Sequence, residues 1–286
     1  MTPTTTEEHW DMIIEPKAHL LDLNLKEVWR YRDLLLLFVK RDFVAQYKQT
    51  ILGPLWHVIQ PIFTTIMFLV VFRKIANIPT GGIPPVLFYM SGITIWNYFS
   101  SCLTTTSNTF VANAGIFGKV YFPRLVIPLS NVLSNIVKFG IQFLLLLIMM
   151  AVYSFKGYPI HFGLNWFWIP VLILMMAGLG LGLGIIISSL TTKYRDLAVL
   201  IGFAVQLLMY ATPVVYPLSF LKGKSYASWI QWNPLTPIVE AFRYALFGEG
   251  TFSGGSLLYS GGCIAIVLFA GLLIFSKVER SFMDTV

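Results

Sequence analysis

The stretch IQFLLLLIMMAVYSF, residues 141–155, holds no charged side chain and sits inside a much longer anomaly. Between Asp42 and Asp196 the chain carries no acidic residue at all. A soluble domain needs carboxylates on its solvated faces to balance the lysines and arginines that remain there. The gap therefore places most of the chain in lipid. Composition agrees: of 286 residues, 56% are hydrophobic and 12% charged, where a globular domain has about a quarter charged. Mean hydropathy is +0.73.

Net charge is +7 and the isoelectric point about 9.4. The cations are spread thinly between apolar runs, which fits loops that set membrane topology rather than a stripe that binds nucleic acid. No nucleic-acid partner is expected. Cys102 and Cys263 lie in apolar segments without C-x-x-C spacing and read as buried free thiols. Residues 1–24 are polar, acidic and marked by proline, without a basic region followed by an apolar one. No cleavable signal peptide is expected, and the first span is expected to direct insertion.

An apolar helix needs about 20 residues to cross the hydrocarbon core. Six segments meet that length: 54–72, 85–110, 125–155, 166–190, 197–216 and 256–276. With both termini cytoplasmic, the inside segments hold thirteen lysines and arginines against six outside, and Lys138 is left in the third span. The positive-inside rule favours that orientation.

Two segments are expected not to cross. Residues 34–49 read as an amphipathic helix in the membrane interface, with Leu36, Val39, Phe43, Val44 and Tyr47 on one face. Arg41, Asp42 and Lys48 fall on the other, toward headgroups or a partner, while Lys40 must snorkel. Residues 218–250 are too apolar for a solvated loop and too broken by proline for a crossing, so short re-entrant helices are expected there. Within them Glu240 and Arg243 are three apart and can pair on one helical face. The expected fold is thus an all-α integral membrane protein with six transmembrane helices. A cytoplasmic N-terminal segment with its interface helix (residues 1–53) precedes the six-span domain (residues 54–286).

The chemistry of an enzyme is not expected. His9, His19, His57 and His161 make no metal-binding pattern, and no two carboxylates fall within the apolar spans as an acid–base pair. Lys138 alone offers an intramembrane ionisable group for ion coupling, and it reads better as a snorkelling lysine. Gly223-Lys224-Ser225 ends like a phosphate loop, but Leu218 stands where the first glycine is required. No catalytic residue, metal site or bound cofactor is expected; if ATP is used, another chain binds it.

Along the first span Trp56, Gln60, Phe63 and Met67 recur at helical spacing, and Phe203, Gln206 and Tyr210 repeat the idea on the fifth. Aromatic faces beside amides suit sugar rings, whose C–H faces stack while their hydroxyls seek hydrogen bonds. Ordinary helix packing explains the same residues nearly as well. Asn97, Ser101, Thr104 and Asn108 form a polar track on the second span that can belong to the same path. Gly178, Gly180, Gly182 and Gly184 in the fourth span read as close helix packing.

Several motifs together resemble a known family. They are Arg41-Asp42, the run from Tyr47 to Trp56 with Pro61, and the loop Lys119-Val120-Tyr121-Phe122-Pro123-Arg124. Tyr194-Arg195-Asp196-Leu197, Pro213-Val214-Val215-Tyr216-Pro217, and Asn233-Pro234-Leu235-Thr236-Pro237 with Phe242-Arg243 complete the set. In this order, over nearly the whole chain from about Arg30, they resemble the ABC-2 type permeases that export O-antigen, capsule or teichoic acid. The resemblance implies a homodimer in a bacterial cytoplasmic (inner) membrane, joined by two ATP-binding cassette subunits that carry the ATP and Mg. It implies lipid-linked glycan as cargo, moving through a channel between the two permease copies. It gives Lys119–Arg124 the role of a coupling turn whose exposed aromatics, Tyr121 and Phe122, plug into the ATPase, with Arg41 and Lys48 nearby. Two other readings stay open: an exporter of another amphipathic cargo, such as a drug or lipid, and a membrane-embedded glycosyl- or acyltransferase.

Overall fold

The computed structural model describes residues 25–283 apart from Gln49, Gly118, Tyr121, residues 160–162, Lys193, Arg195, Lys222 and Tyr226. Among the described residues every regular element is helical. Two helices, α1 (Leu25–Arg30) and α2 (Arg32–Tyr47), lead to a tight turn at Gly53–Leu55. There Pro54 pre-sets the first helical turn of α3 (Trp56–Phe68), which widens into π-helix through Leu69–Ile75. Then follow α4 (Pro85–Ser107), α5 (Thr109–Phe117), α6 (Val126–Phe155), α7 (Trp168–Thr191) and α8 (Leu197–Tyr210). The chain closes with α9 (Ala227–Trp232), α10 (Leu235–Phe247) and α11 (Gly254–Met283).

Among the described residues, four helical stretches are long and apolar enough to cross a membrane: Gly53–Ile75, Val126–Phe155, Leu164–Thr191 and Gly254–Val278. The other two expected spans differ in an informative way. The second breaks at Asn108 instead of running to Phe110. Hydroxyls crowd its end, with Ser107 Oγ donating to the Thr104 carbonyl at 2.8 Å and Thr191 Oγ1 donating to the Ser107 carbonyl at 3.2 Å. Such bonds compete with the helical ladder. The fifth stops at Tyr210, not Tyr216, and its 14 residues reach about 21 Å against a core of about 30 Å. The Asn233 amide caps that end by donating to the Ala211 carbonyl at 3.1 Å, and Pro213 prevents continuation.

α4 is the most enclosed of these helices, packing against α3, α6, α7, α8 and α10. Several of its hydroxyls do not oppose burial because they bond back within the helix, as Ser91 does to Phe88 and Thr94 to Met90. Glycines set how closely its neighbours approach. A Cβ at Gly180 would come 2.8 Å from Cys102 Cβ, and one at Gly184 would come 2.5 Å from Thr106 Cβ. On the opposite side of α7, a Cβ at Gly178 or Gly182 would meet Ile264 or Val267 of α11 at 3.0 Å. The alternating glycines thus seat α7 between α4 and α11, as small-residue spacing predicts.

Two apolar cores result. The larger runs through α4, α6, α7 and α10. The smaller sits at one end of the bundle and joins Val28 and Phe38 to Phe110, Phe117, Phe122 and Phe275.

A helix is present where the interface helix was expected, over Arg32–Tyr47, but it packs differently from the amphipathic reading. Phe38, from outside the predicted apolar face, is the residue it buries, while Leu36, Phe43 and Val44 remain exposed. Apolar side chains therefore occupy both sides of α2, one against the protein and the other open.

In the expected re-entrant region, α9 is one short helix and α10 a longer one. Pro234 and Pro237 lie at the start of α10, where proline is tolerated. Gly248, at φ 73°, ends the helix with its N–H on the Tyr244 carbonyl. Residues 1–24, on which part of the predicted N-terminal segment falls, lie outside the described residues.

Candidate transport path and coupling surface

The loop after α5 corrects one expectation. Phe122 was expected to project toward a partner, yet it is buried, with its ring 5.7 Å from Phe38 and 5.8 Å from Phe117. Arg124, expected in the same contact, is also buried, its guanidinium 5.4 Å from the centroid of the Phe117 ring. The physical reason is the short α5, which brings Phe117 back over the loop and offers Phe122 apolar cover. What remains exposed is Lys119 with Val120, the latter at 59%. Pro123 is half-buried. Tyr121, Lys193 and Arg195 lie outside the described residues.

Arg41 is exposed on α2, and Lys48 is exposed at the cap that follows it. Arg41 holds Asp42 at 2.8 Å and lies 4.6 Å from the Phe38 ring centroid, so its fork is oriented rather than loose. Burial raises the Tyr47 phenol above its ordinary pKa.

On α3, Trp56, Gln60, Phe63 and Met67 all point out of the chain, Phe63 at 65% exposure. On α8, Phe203, Gln206 and Tyr210 do the same. Both faces are therefore open and neither is used to fold this chain. The polar track on α4 is divided. Asn97 donates to Gln142 Oε1 of α6 at 3.1 Å, while Ser101 and Thr104 stay within α4, the Thr104 hydroxyl on the Ser100 carbonyl at 2.8 Å.

Sequence reasoning missed the partner of that track. Asn131, Asn135, Lys138 and Gln142 recur at i, i+4, i+7 and i+11 along α6, a spacing that was legible. Asn135 Nδ2 donates to Thr105 Oγ1 at 3.0 Å, and Asn131 Nδ2 to the Thr105 carbonyl at 3.3 Å. The two helices meet along a polar seam.

Glu240 and Arg243 pair as the spacing predicted, Nη1 to Oε1 at 3.3 Å, and both are buried. Arg243 does more than pair. It donates to the Pro213 carbonyl at 2.5 Å and the Val214 carbonyl at 2.6 Å, with its guanidinium 3.8 Å from the Phe88 ring centroid. One side chain therefore fastens α10 to α4 and to the turn after α8. Gly92 makes room for it, since a Cβ there would meet Arg243 Nη2 at 2.7 Å.

If the two open faces carry cargo, Phe63→Ala and Tyr210→Ala each lower glycan export severalfold while leaving membrane insertion and unfolding temperature near wild type. Export assays on membranes with matched protein levels check this. Unchanged export in both variants returns these residues to packing.

The sequence profile of the ABC-2 type transporter family matches residues 33–247. The chain is similar to the O-antigen export system permease protein RfbA of Klebsiella pneumoniae, 32% identical over 256 residues, 88% of this chain and 94% of the relative. It is 26% identical to RfbA of Myxococcus xanthus over 92% of this chain and 98% of that one. It is also similar to the polysialic acid transport protein KpsM of Escherichia coli, at 23% over 86% of this chain and 93% of the relative.

Proposed function

The chain belongs to the ABC-2 type transporter family, and from that membership we propose that it is the permease subunit of an exporter of lipid-linked polysaccharide. The observation that carries the reading is the near end-to-end similarity to O-antigen and polysialic acid permeases. Two exposed aromatic–amide faces, on α3 and α8, supply a surface suited to sugar.

The chain crosses a bacterial inner membrane six times with both ends in the cytosol. Four crossings are the long apolar helices. α4 makes another crossing, with hydroxyls such as Ser91 and Thr94 bonded back within the helix, and α8 with the turn that follows it makes the remaining one, so that α11 is the last in chain order. α9 and α10 sit between the last two crossings as outer, re-entrant elements. Two copies face each other across the open sides of α3 and α8, which line a channel for the glycan. Energy comes from two ATP-binding cassette subunits holding ATP and Mg, docked at the end where Lys119, Val120, Arg41 and Lys48 are exposed.

Co-purification with a candidate ATP-binding subunit tests this directly. The complex is expected to contain two copies of each chain and to hydrolyse ATP faster when lipid-linked glycan is added. A complex whose ATPase responds to drugs or free phospholipids but not to glycan would assign the cargo elsewhere.

A further inference from the structure

We infer that the cleft between α2 and the adjoining parts of α4, α5 and α6 binds the phosphate or diphosphate group of a lipid-anchored sugar. The exporter reading supplies only the reason such a lipid is present; the site itself rests on the geometry.

The cleft encloses about 680 Å³, within the range of roughly 300–1,000 Å³ typical of small-molecule sites. Its α6 wall presents Asn131, Ser134, Asn135 and Lys138 at i, i+3, i+4 and i+7, and α2 contributes Arg41 and Asp42. Those last two cancel each other in an ion pair at 2.8 Å. Lys138 is left as the cleft's surplus charge. Among the described residues it has no ion pair or hydrogen bond, and Asp42 acts on it only at longer range.

Two further groups on the same wall are unfinished. Asn135 is 1% exposed; its Nδ2 is engaged by Thr105, but its Oδ1 has no partner. The buried Ser134 Oγ has none either. An unsatisfied buried acceptor is costly, so a ligand that brings a donor to it gains binding energy. The required occupant must bring negative charge to Lys138 and a hydroxyl or N–H to Asn135 Oδ1. A sugar bonded to a phosphate carries both groups side by side.

Depth points to a lipid rather than a solute. Lys138 lies seventeen residues before Phe155, the far end of α6, or about 26 Å along the helix. With Phe155 at the outer edge of a core about 30 Å thick, the ammonium reaches the level of the inner headgroups. Val39, Phe43 and Val137 add apolar surface to the cleft for an acyl or prenyl chain.

The test uses the full chain with its ATP-binding partner in phosphatidylcholine nanodiscs. The probe is polyprenyl-diphosphate N-acetylglucosamine, and the comparators are the sugar-free polyprenyl diphosphate, sodium pyrophosphate and phosphatidylglycerol. Lys138→Met is expected to weaken probe binding about tenfold or more, and Ser134→Ala about threefold, as loss of charge-assisted and neutral bonds respectively implies. Lys138→Arg keeps the charge and stays near wild type. The sugar-free lipid binds more weakly than the probe, and neither pyrophosphate nor phosphatidylglycerol displaces the probe except in large excess. Where Lys138→Met lowers the unfolding temperature, Ser134→Ala and Lys138→Arg decide the matter. Wild-type affinity in Lys138→Met, or in Ser134→Ala when that variant decides, overturns the site. So does pyrophosphate or phosphatidylglycerol binding as tightly as the probe, which would make it a free-anion or ordinary lipid contact. Normal ATP-driven export beside unaltered binding in the variants sinks the site alone. Probe binding that depends on Lys138, without any export, sinks the exporter reading alone.

Discussion

Arg243→Met is expected to destabilise the chain by about 3–5 kcal/mol, the usual cost of stranding one member of a buried ion pair. The methionine would leave the Glu240 carboxylate buried at 4% exposure with only long contacts, to Thr251 N and Oγ1 at 3.4 Å. It would also strip the Pro213 and Val214 carbonyls of their donor. Glu240→Gln keeps an acceptor and is expected to cost less, about 1–3 kcal/mol. Combining Arg243→Met with Glu240→Leu should recover part of the loss, because the stranded charge is gone. Thermal unfolding of the purified chain in one detergent orders the three variants. Were Arg243→Met to melt with the wild type, some other contact would be holding α10 to α4 and to the turn after α8.

Lys119→Glu combined with Val120→Asp is expected to abolish ATP-driven export while leaving the fold intact. Both side chains are exposed and neither belongs to a core, so their substitution should change stability by no more than about 0.5 kcal/mol. Reversing a charge and desolvating a second one at the proposed docking surface opposes assembly with the ATPase. Phe122→Ala must be kept separate. It would open a hole between Phe38 and Phe117 and is expected to cost about 3–5 kcal/mol of stability. A lost-function result there says nothing about docking. Pull-down of the ATP-binding subunit and export assays check the surface variant, and normal assembly with normal export would move the contact elsewhere.

The lipid-facing character of this chain was legible because burial in hydrocarbon removes acidic residues and lengthens apolar runs, and both survive in a bare sequence. The Glu240–Arg243 pair was legible for the same kind of reason, since i,i+3 spacing fixes a shared helix face. Phe122 was not. Its exposure depends on where α5 ends, and nothing local announces that Phe117 will fold back over it. Phe38 was not named because α2 carries apolar side chains on both sides, so periodicity names no single buried face. The fifth apolar segment was drawn too long for a third reason. Asn233, more than twenty residues downstream, caps α8 at Ala211, and a tertiary hydrogen bond of that range has no signature at the helix end. The α6 polar stripe shows the converse failure, a periodic signal that was present but read only through Lys138.

The decisive measurement is transport itself. In sealed proteoliposomes containing this chain and its ATP-binding partner, a fluorescent lipid-linked glycan should cross the bilayer only when ATP and Mg are supplied. Omitting either chain should stop both movement and glycan-stimulated hydrolysis. Movement without ATP, or ATP hydrolysis by this chain alone, would contradict the account.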